Sequence, residues 1–336
     1  MWIGSLPVEG ELLLAPLDGY GDAPYRLLCR AFGAAMTYVP IVPDEAVLSR
    51  RGRQRAVVSF YERERPLGVQ LLTRDPDRLQ RAIERLLPLE PALIDLNLGC
   101  PARKVVGGGR GASLMREPER VGALMAAAVR SSTVPVTAKI RLGWDESTQN
   151  GVEIARILEQ NGAAAVAVHG RTRAQLYGGR ADWDAIRLVR EAVSIPVIAN
   201  GDVNDVASAE AILTQTGCPA AMVARGAIGN PWIFARRELD TVPLAERMRV
   251  VAWHLRMSVQ HYGEVRGVVS FRKHVVRYIQ GLPGAAAIRR LLMQLTTVEQ
   301  VLDALAEHTG LSAAEREAMM AVEQNEIAEW MGELCA

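Results

Sequence analysis

A lysine in an apolar segment is the residue whose chemistry stands out most clearly in this sequence. Lys139 lies in the β-branched run from Val134 to Leu142, and the chain has only three lysines against thirty-six arginines. An ammonium group inside a strand is costly unless it meets an anion or an electron-rich group. We therefore expect Lys139 to contact a bound anionic group, with an ion pair to Asp95 as the alternative.

Polar side chains also follow six of the strand-like runs, at the point where each run ends. In a barrel of parallel strands these ends share one face, and that face carries the active site. One inward polar residue could be a satisfied core residue, but six strands that end this way are hard to explain by packing. The residues at these ends are Gln70, Asp95, Asn97, Cys100, Lys139, Arg141, His169, Arg171, Arg173, Asn200, Asp202, Ala224 and Arg225.

The last two strand ends have the composition of a phosphate site. Asn200-Gly201-Asp202 and Ala224-Arg225-Gly226 follow the seventh and eighth runs, where barrels commonly hold a phosphate on backbone N–H groups. Ordinary turn chemistry is the alternative for each segment alone. A phosphate-bearing cofactor whose ring becomes anionic on reduction, such as flavin mononucleotide (FMN), would explain this site and Lys139 together.

Cys100 is the candidate reacting group. Pro101 holds its backbone extended, and the glycine-rich stretch from Val106 to Gly111 predicts a mobile loop. Cys29 and Cys218 are interpreted as small buried hydrophobes. The loop position indicates that Cys100 is an acid or a nucleophile. The four cysteines are far apart and form no CxxC pair, so we expect neither a metal site nor a disulfide framework.

The elements that must position these residues occur in a regular order. Eight short apolar runs alternate with helical segments. This order predicts an α/β fold, a (β/α)8 TIM barrel over residues 1–241, whereas a doubly wound open sheet would need fewer strands. The predicted strands are Leu12–Pro16, Ala35–Val42, Leu67–Leu72, Ala92–Leu98, Val134–Leu142, Ala164–Gly170, Ile195–Asp202 and Ala220–Ala227.

The rest of the chain has a different composition. No strand-like run follows Val242, which predicts a C-terminal helical domain over residues 242–336. Nine Lys or Arg and one acid lie between Arg247 and Arg290, whereas nine acids and one base follow from Leu291 as an acidic C-terminal tail. A basic block of this size is a candidate surface for a polyanion. Solvated helix faces paired with the acidic tail are the alternative.

Composition excludes several classes of protein. Of 336 residues, 49% are hydrophobic and 23% are charged, and the net charge is +1. That balance is typical of a globular protein and excludes a chain that is basic throughout. No apolar run approaches the ~18 residues that cross a bilayer, and the N-terminus lacks a signal-peptide pattern. We expect a cytoplasmic protein without a membrane partner.

The strand-end motifs together resemble those of the tRNA-dihydrouridine synthases. The similarity covers nearly the whole chain, and the stretch that carries Cys100 is the most specific motif. Asn230 to Phe234 and Arg272 to His274 look most similar to the bacterial B-type branch. The stretch with Cys100 begins at Asp95, and the other matching stretches begin at Ala15, Gly109, Lys139, His169, Pro196 and Arg225.

The resemblance implies an FMN enzyme that takes electrons from NADPH and reduces a D-loop uridine of tRNA to 5,6-dihydrouridine. Cys100 would be the general acid that protonates C5 while the flavin hydride reaches C6, and Asn97 and Arg141 would orient the uracil. No obligate protein partner is implied. The FMN-binding positions that it implies are Pro16, Leu17, Asp18, Gln70, Lys139, His169, Asn200, Gly201, Asp202, Ala224 and Arg225.

The helical domain would then bind the rest of the tRNA. Its basic segment, including Arg272, Lys273 and Arg277, is expected to contact phosphates without reading sequence. Two alternatives remain at this point. A flavin barrel that resembles dihydroorotate dehydrogenase could reduce a free small pyrimidine, or a barrel without cofactor could bind RNA and catalyse nothing.

The sequence departs from the family pattern at three places. The usual Ser/Thr-Glu-Met of the second strand is replaced by the segment from Thr37 to Pro40, so any contact made by that glutamate is missing. Ala224 takes the place of a glycine, and Asp18 stands where a small neutral residue is usual. None of these changes removes a central group.

Overall fold

The computed structural model describes residues 1–49 and 58–322, so the last residues of the predicted acidic tail, 323–336, lie outside it. The described chain forms two compact units. The first contains Met1–Gly21 and Ala34–Arg225, and the second contains Asp22–Gly33 and the chain from Gly226 onwards. The predicted division falls after residue 241, so the second unit takes in two segments that the sequence interpretation gives to the barrel.

Parallel β-strands form the framework of the first unit. The strands are β1 (Trp2–Ile3), β2 (Leu6–Pro7), β3 (Leu12–Leu14), β4 (Thr37–Pro43), β5 (Leu67–Leu72), β6 (Leu93–Asn97), β7 (Val136–Arg141), β8 (Ala165–His169), β9 (Val197–Asn200) and β10 (Ala220–Val223). β1 and β2 pair as an antiparallel hairpin, and the others form one parallel sheet in the order β3-β10-β9-β8-β7-β6-β5-β4.

The two edges of this sheet come together. Leu14 N donates to Met36 O at 2.9 Å and Ala35 N donates to Leu12 O at 2.7 Å, which joins β3 to the segment that leads into β4. The predicted (β/α)8 TIM barrel with C-terminal helices is confirmed. Each predicted strand overlaps an observed one, because the β-branched runs that define them are buried on both faces. Seven of the eight contain the observed strand in full, and β4 extends one residue beyond its predicted end, to Pro43.

Aspartate side chains cap two of the helices that lie between the strands. Asp75 accepts hydrogen bonds from two backbone N–H groups in the first turn of Pro76–Leu86, and Asp205 accepts one in the first turn of Val206–Thr216. These bonds satisfy donors that a helix start leaves unpaired. The described helices of this unit are Asp44–Leu48, Pro76–Leu86, Arg103–Gly107, Pro118–Ser131, Gly151–Gln160, Trp183–Glu191 and Val206–Thr216.

The barrel interior changes from apolar to polar along the strands. Leu93 belongs to the apolar core, whereas Asp95 and Asn97, two and four residues later, lie on the same face of β6 because strand side chains alternate. The core therefore supports the polar strand ends from one side. It includes Leu13, Tyr38, Leu93, Ala165, Ala167, Ile198, Ala220 and Met222.

The second unit is helical. Its longest helices, Leu244–Tyr262 and Glu264–Tyr278, cross closely at Gly267, where a Cβ atom would lie 2.4 Å from the Cα of Val259. Only glycine permits this approach. Across residues 1–49 and 58–322, every helix is too short or too polar to span a bilayer. The other helices described in this unit are Ala23–Ala31, Ala285–Leu292, Val298–Thr309 and Ala313–Met320.

Candidate active site

A cavity of about 670 Å³ lies at the carboxyl ends of the barrel strands. Its size falls within the usual range for small-ligand sites. The structure brings together in its wall all the residues for which the sequence predicts a catalytic, cofactor-binding or base-binding role. These residues are Pro16, Leu17, Asp18, Gln70, Asn97, Cys100, Lys139, Arg141, His169, Asn200, Gly201, Asp202, Ala224 and Arg225.

Cys100 is half-buried and its backbone is held at two points. Its N–H donates to Oδ1 of Asn97 at 2.9 Å, and its carbonyl accepts from Ala112 N at 3.0 Å. The chain beyond it is more regular than the predicted mobile loop, since it contains the short helix Arg103–Gly107. Burial raises the pKa of the Cys100 thiol, and the carboxylate of Asp18 raises it further. The thiol is therefore protonated at neutral pH, which favours an acid over a nucleophile.

Lys139 binds an amide and not the carboxylate of Asp95. Its Nζ donates to Oδ1 of Asn200 at 2.7 Å, and Nδ2 of Asn200 donates to the carbonyl of Met222 at 2.9 Å. Burial, with a contribution from Arg141, lowers the pKa of Lys139 to about 7. A bound anion would favour its charged form, because opposite charges at short range stabilise each other.

The cavity wall is strongly electropositive. Burial lowers the pKa of His169 well below its ordinary value, and four neighbouring cations lower it further. His169 is therefore neutral at pH 7 and can either donate or accept a hydrogen bond. A set of donors of this kind suits a phosphate or another anionic ligand. The four cations are Lys139, Arg141, Arg171 and Arg225.

Most of the N–H donors of Arg141 bind backbone carbonyl groups. Its Nε donates to Gly99 O at 2.9 Å, and one terminal nitrogen donates to the carbonyls of Thr172 and Leu176 at 2.8 and 2.9 Å. Burial lowers its pKa to about 10, so it stays charged at neutral pH. The predicted base-binding residue thus also joins the chain beside Cys100 to the loop after β8.

Tyr177 is a cavity residue that the sequence interpretation missed. Its side chain is 58% exposed, and the guanidinium groups of Arg141 and Arg225 lie 5.9 and 4.7 Å from its ring centre. An exposed aromatic ring held by cations offers a stacking surface for a planar ligand. Tyr177 follows the predicted strand by several residues, so strand alternation gave no signal for it, although its neighbour Gly178 begins a turn-like Gly-Gly pair.

The three basic residues predicted to bind tRNA lie in the second unit and differ in exposure. Lys273 donates through Nζ to Oδ2 of Asp22 at 2.9 Å, and Arg272 donates to the carbonyl of Leu295 at 2.9 Å. Arg277 is exposed and its terminal nitrogen lies 3.2 Å from Oε1 of Gln280. Of these three, Arg277 presents its charge most freely to solvent.

Two buried histidines lie near the carboxylate of Asp22. The side-chain ligand atoms of Asp22, His254 and His274 are within 4.8 Å of one another, a spacing that could hold a metal ion. The ammonium of Lys273 already supplies the counter-charge at this carboxylate. Both histidines pack against the ring of Tyr25. Fold and cavity together define a TIM-barrel protein with an electropositive cavity at the barrel mouth.

The chain belongs to the dihydrouridine synthase family, whose sequence profile matches residues 13–315. tRNA-dihydrouridine synthase B of Pseudomonas aeruginosa is 41% identical over 297 residues, which cover 85% of this chain and 89% of that protein. A probable tRNA-dihydrouridine synthase of Rickettsia prowazekii is 36% identical over 297 residues, covering 85% of this chain and 90% of that protein. The predicted resemblance to this family and to its bacterial B-type branch is confirmed.

A solved structure supports the fold. Histamine dehydrogenase from Rhizobium sp. 4-9 superposes with a TM-score of 0.53 at 14% identity, over 93% of this chain and 64% of that chain. At this level of identity the likeness bears on the architecture alone.

Proposed function

We propose that the protein is a tRNA-dihydrouridine synthase that reduces a D-loop uridine of tRNA to 5,6-dihydrouridine with FMN and NADPH. The observation that carries the proposal is the convergence of a protonated thiol, Cys100, and a partly buried ammonium, Lys139, on one electropositive cavity in a chain of this family. Because tRNA is the substrate, we expect the enzyme in the cytoplasm.

The donor set of the cavity fits FMN. Backbone groups of Gly201 and Asp202 and the side chains of His169 and Arg225 would hold the phosphate end, and Lys139 would lie near the ring. The segment from Pro16 to Asp18 and residues Gln70, Asn200 and Ala224 would complete the cofactor site. Bound there and reduced by NADPH, FMN would supply the hydride that C6 of the uracil receives.

Cys100 supplies the other half of the addition. Hydride addition at C6 leaves a carbanion-like C5 that must receive a proton. The thiol is held in its protonated form by burial and by Asp18, so it can donate that proton and later regain one from solvent at the cavity mouth. Asn97 and Arg141 lie beside it and would orient the uracil.

The uridine must leave its stack to reach this cavity. Enzymes that act on a base draw it out of the folded nucleic acid into a pocket, and the exposed ring of Tyr177 offers it a stacking surface at the mouth. The second unit would hold the rest of the tRNA by phosphate contacts from its basic helices. Arg277 is the most exposed of the predicted contact residues.

The purified protein tests this function directly. We expect it to be yellow and, with NADPH, to convert uridine in unmodified tRNA to dihydrouridine, detected by nucleoside mass spectrometry, while free uridine stays unchanged. The matched control is Cys100→Ala, which should keep its flavin and its reduction by NADPH but form product at least ~100-fold more slowly. Turnover of free uridine would favour the free-pyrimidine alternative, and a colourless protein would favour the non-catalytic one.

A further inference from the structure

A chain of hydrogen bonds runs through the barrel interior from Asp95 to the backbone of Cys100. Nε2 of Gln70 donates to Oδ2 of Asp95 at 2.8 Å, and Nδ2 of Asn97 donates to Oε1 of Gln70 at 2.8 Å. Oδ1 of Asn97 then accepts from the N–H groups of Gly99 and Cys100 at 3.3 and 2.9 Å. Two amide side chains, Gln70 and Asn97, therefore connect the buried carboxylate of Asp95 to the loop that carries the reactive thiol.

The hydrogen bonds of this series all run in one direction, which the carboxylate of Asp95 sets. An ionised carboxylate only accepts hydrogen bonds, whereas each amide has a donor end and an acceptor end. Gln70 must therefore turn its NH2 group towards Asp95, which leaves its oxygen facing Asn97. Asn97 must in turn give its NH2 group to Gln70, which leaves its oxygen for the backbone of Cys100.

We infer that Asp95 is a positioning residue that fixes the loop of Cys100 by setting the orientation of Gln70 and Asn97. If either amide were reversed, an NH2 group would face the N–H of Cys100 and the loop would lose its anchor. The inference rests on the proposed function only in taking Cys100 as the proton donor. It assigns Asp95 no contact with cofactor or substrate.

The surroundings of Asp95 agree with this role. Its other oxygen accepts from Oγ1 of Thr137 at 2.6 Å, so both oxygens are used, and the side chain is 1% exposed. Lys139, the cation that could have paired with it, donates to Asn200 instead. Burial raises the pKa of Asp95 to about 6, partly offset by the bonds from Thr137 and Gln70, so the group is ionised at pH 8.

The test measures how well Asn97 protects the backbone amides of this loop, and it needs no turnover of substrate. Hydrogen exchange at pH 8 is followed for the two amides that Asn97 binds, Gly99 and Cys100, in the flavin-loaded protein. In Asp95→Asn the new amide accepts or donates towards Gln70, so the orientation is no longer fixed. We expect exchange at both amides to rise roughly fivefold or more. Thr137→Val is the matched control, because it removes the other bond to Asp95 and leaves the carboxylate facing Gln70; exchange should stay within about twofold.

Two further measurements decide between a positioning role and a merely structural one. Reduction of the flavin by NADPH does not need Cys100, so Asp95→Asn should keep it within about twofold, while dihydrouridine formation falls about tenfold. Gln70→Met interrupts the series of hydrogen bonds between Asp95 and Asn97 and should raise the exchange rate of the same two amides. In that background Asp95→Asn should have no further effect on them, since residues in one network are not additive.

Several results would overturn the inference. These are unchanged exchange in Asp95→Asn, an equal rise in Thr137→Val, or additive effects of Asp95→Asn and Gln70→Met. If Asp95→Asn does not fold, unchanged exchange in Gln70→Met overturns it as well. A wild-type protein that forms no dihydrouridine would count against the proposed function alone, because exchange is measured without RNA.

Discussion

Arg171 and Asp202 form an ion pair that joins the loops after β8 and β9. One terminal nitrogen of Arg171, whose side chain is 2% exposed, lies 2.7 and 2.8 Å from the two carboxylate oxygens of Asp202. The same guanidinium group donates to the carbonyls of Gly178 and Gly179 at 2.9 and 2.7 Å. Asp202 also accepts from Ala181 N at 2.7 Å and has a left-handed backbone, with φ +59°. Its carboxylate holds these loops in place, so its backbone is the part left for a ligand.

Removal of this ion pair should destabilise the barrel mouth. For Arg171→Met we expect the free energy of unfolding to fall by about 3 kcal/mol, because a mostly buried pair loses one partner and three carbonyl or carboxylate groups lose a donor. Chemical denaturation measures the change. Arg187→Met removes two exposed pairs, with Asp184 and Glu191, and should cost less than about 1 kcal/mol. Equal losses in the two variants would contradict this account of the loops.

The acidity of Cys100 should follow the charge of Asp18. Burial and Asp18 raise the thiol pKa above its ordinary value of 9.0, so alkylation, which needs the thiolate, should have its midpoint above pH 9. Product formation needs the thiol and should decline through the same range as pH rises. Asp18→Asn should move both midpoints to lower pH. Alkylation is followed by mass spectrometry of the Cys100 peptide, and a midpoint that does not move in Asp18→Asn would show that the carboxylate has no influence.

Lys139 should link FMN binding to proton uptake. With its pKa lowered to about 7 by burial and by Arg141, a growing share of flavin-free protein loses this charge above pH 7. The affinity for FMN is measured by fluorescence titration of flavin-free protein. From pH 6 to 8 this affinity should fall more steeply in the wild type than in Lys139→Met. At pH 6 the variant should bind about tenfold more weakly. Lys139→Arg keeps the charge and serves as control; identical pH slopes in wild type and Lys139→Met would contradict the prediction.

Arg277 should contribute to tRNA binding through charge alone. Arg277→Glu is expected to weaken binding and to reduce the slope of log affinity against log salt by about one, because one phosphate contact is lost. Arg316→Glu is the matched control, since Arg316 is also exposed and pairs with Asp303 at 2.7 Å within the acidic segment. Binding is measured by filter retention at several salt concentrations. A loss in Arg316→Glu as large as in Arg277→Glu would show a general effect of charge reversal.

Local patterns were enough to predict the barrel and the polar strand ends in the wall of its cavity, whereas the positions from Pro16 to Asp18 were predicted only from the family resemblance. The β-branched runs around Val69, Ile94 and Val166 are buried strands, because a parallel strand covered on both faces must be apolar along its length. Because side chains alternate along a strand, the spacing of two residues puts Asp95 and Asn97 on one face of β6 and Lys139 and Arg141 on one face of β7. The same patterns gave no position for Tyr177, which lies in a loop without periodicity.

The sequence by itself determined which kind of side chain stands at the end of each strand, at the barrel mouth. Apolar runs and side-chain alternation, which define the strands, depend only on neighbours along the chain. Only the tertiary structure decided the partners. Lys139 binds Asn200, 61 residues away, and not Asp95; Lys273 binds Asp22 across 251 residues. These choices follow from which strands and helices come into contact. Hydrogen bonds and charges act over a few ångströms in space, whatever the separation of the residues in the chain.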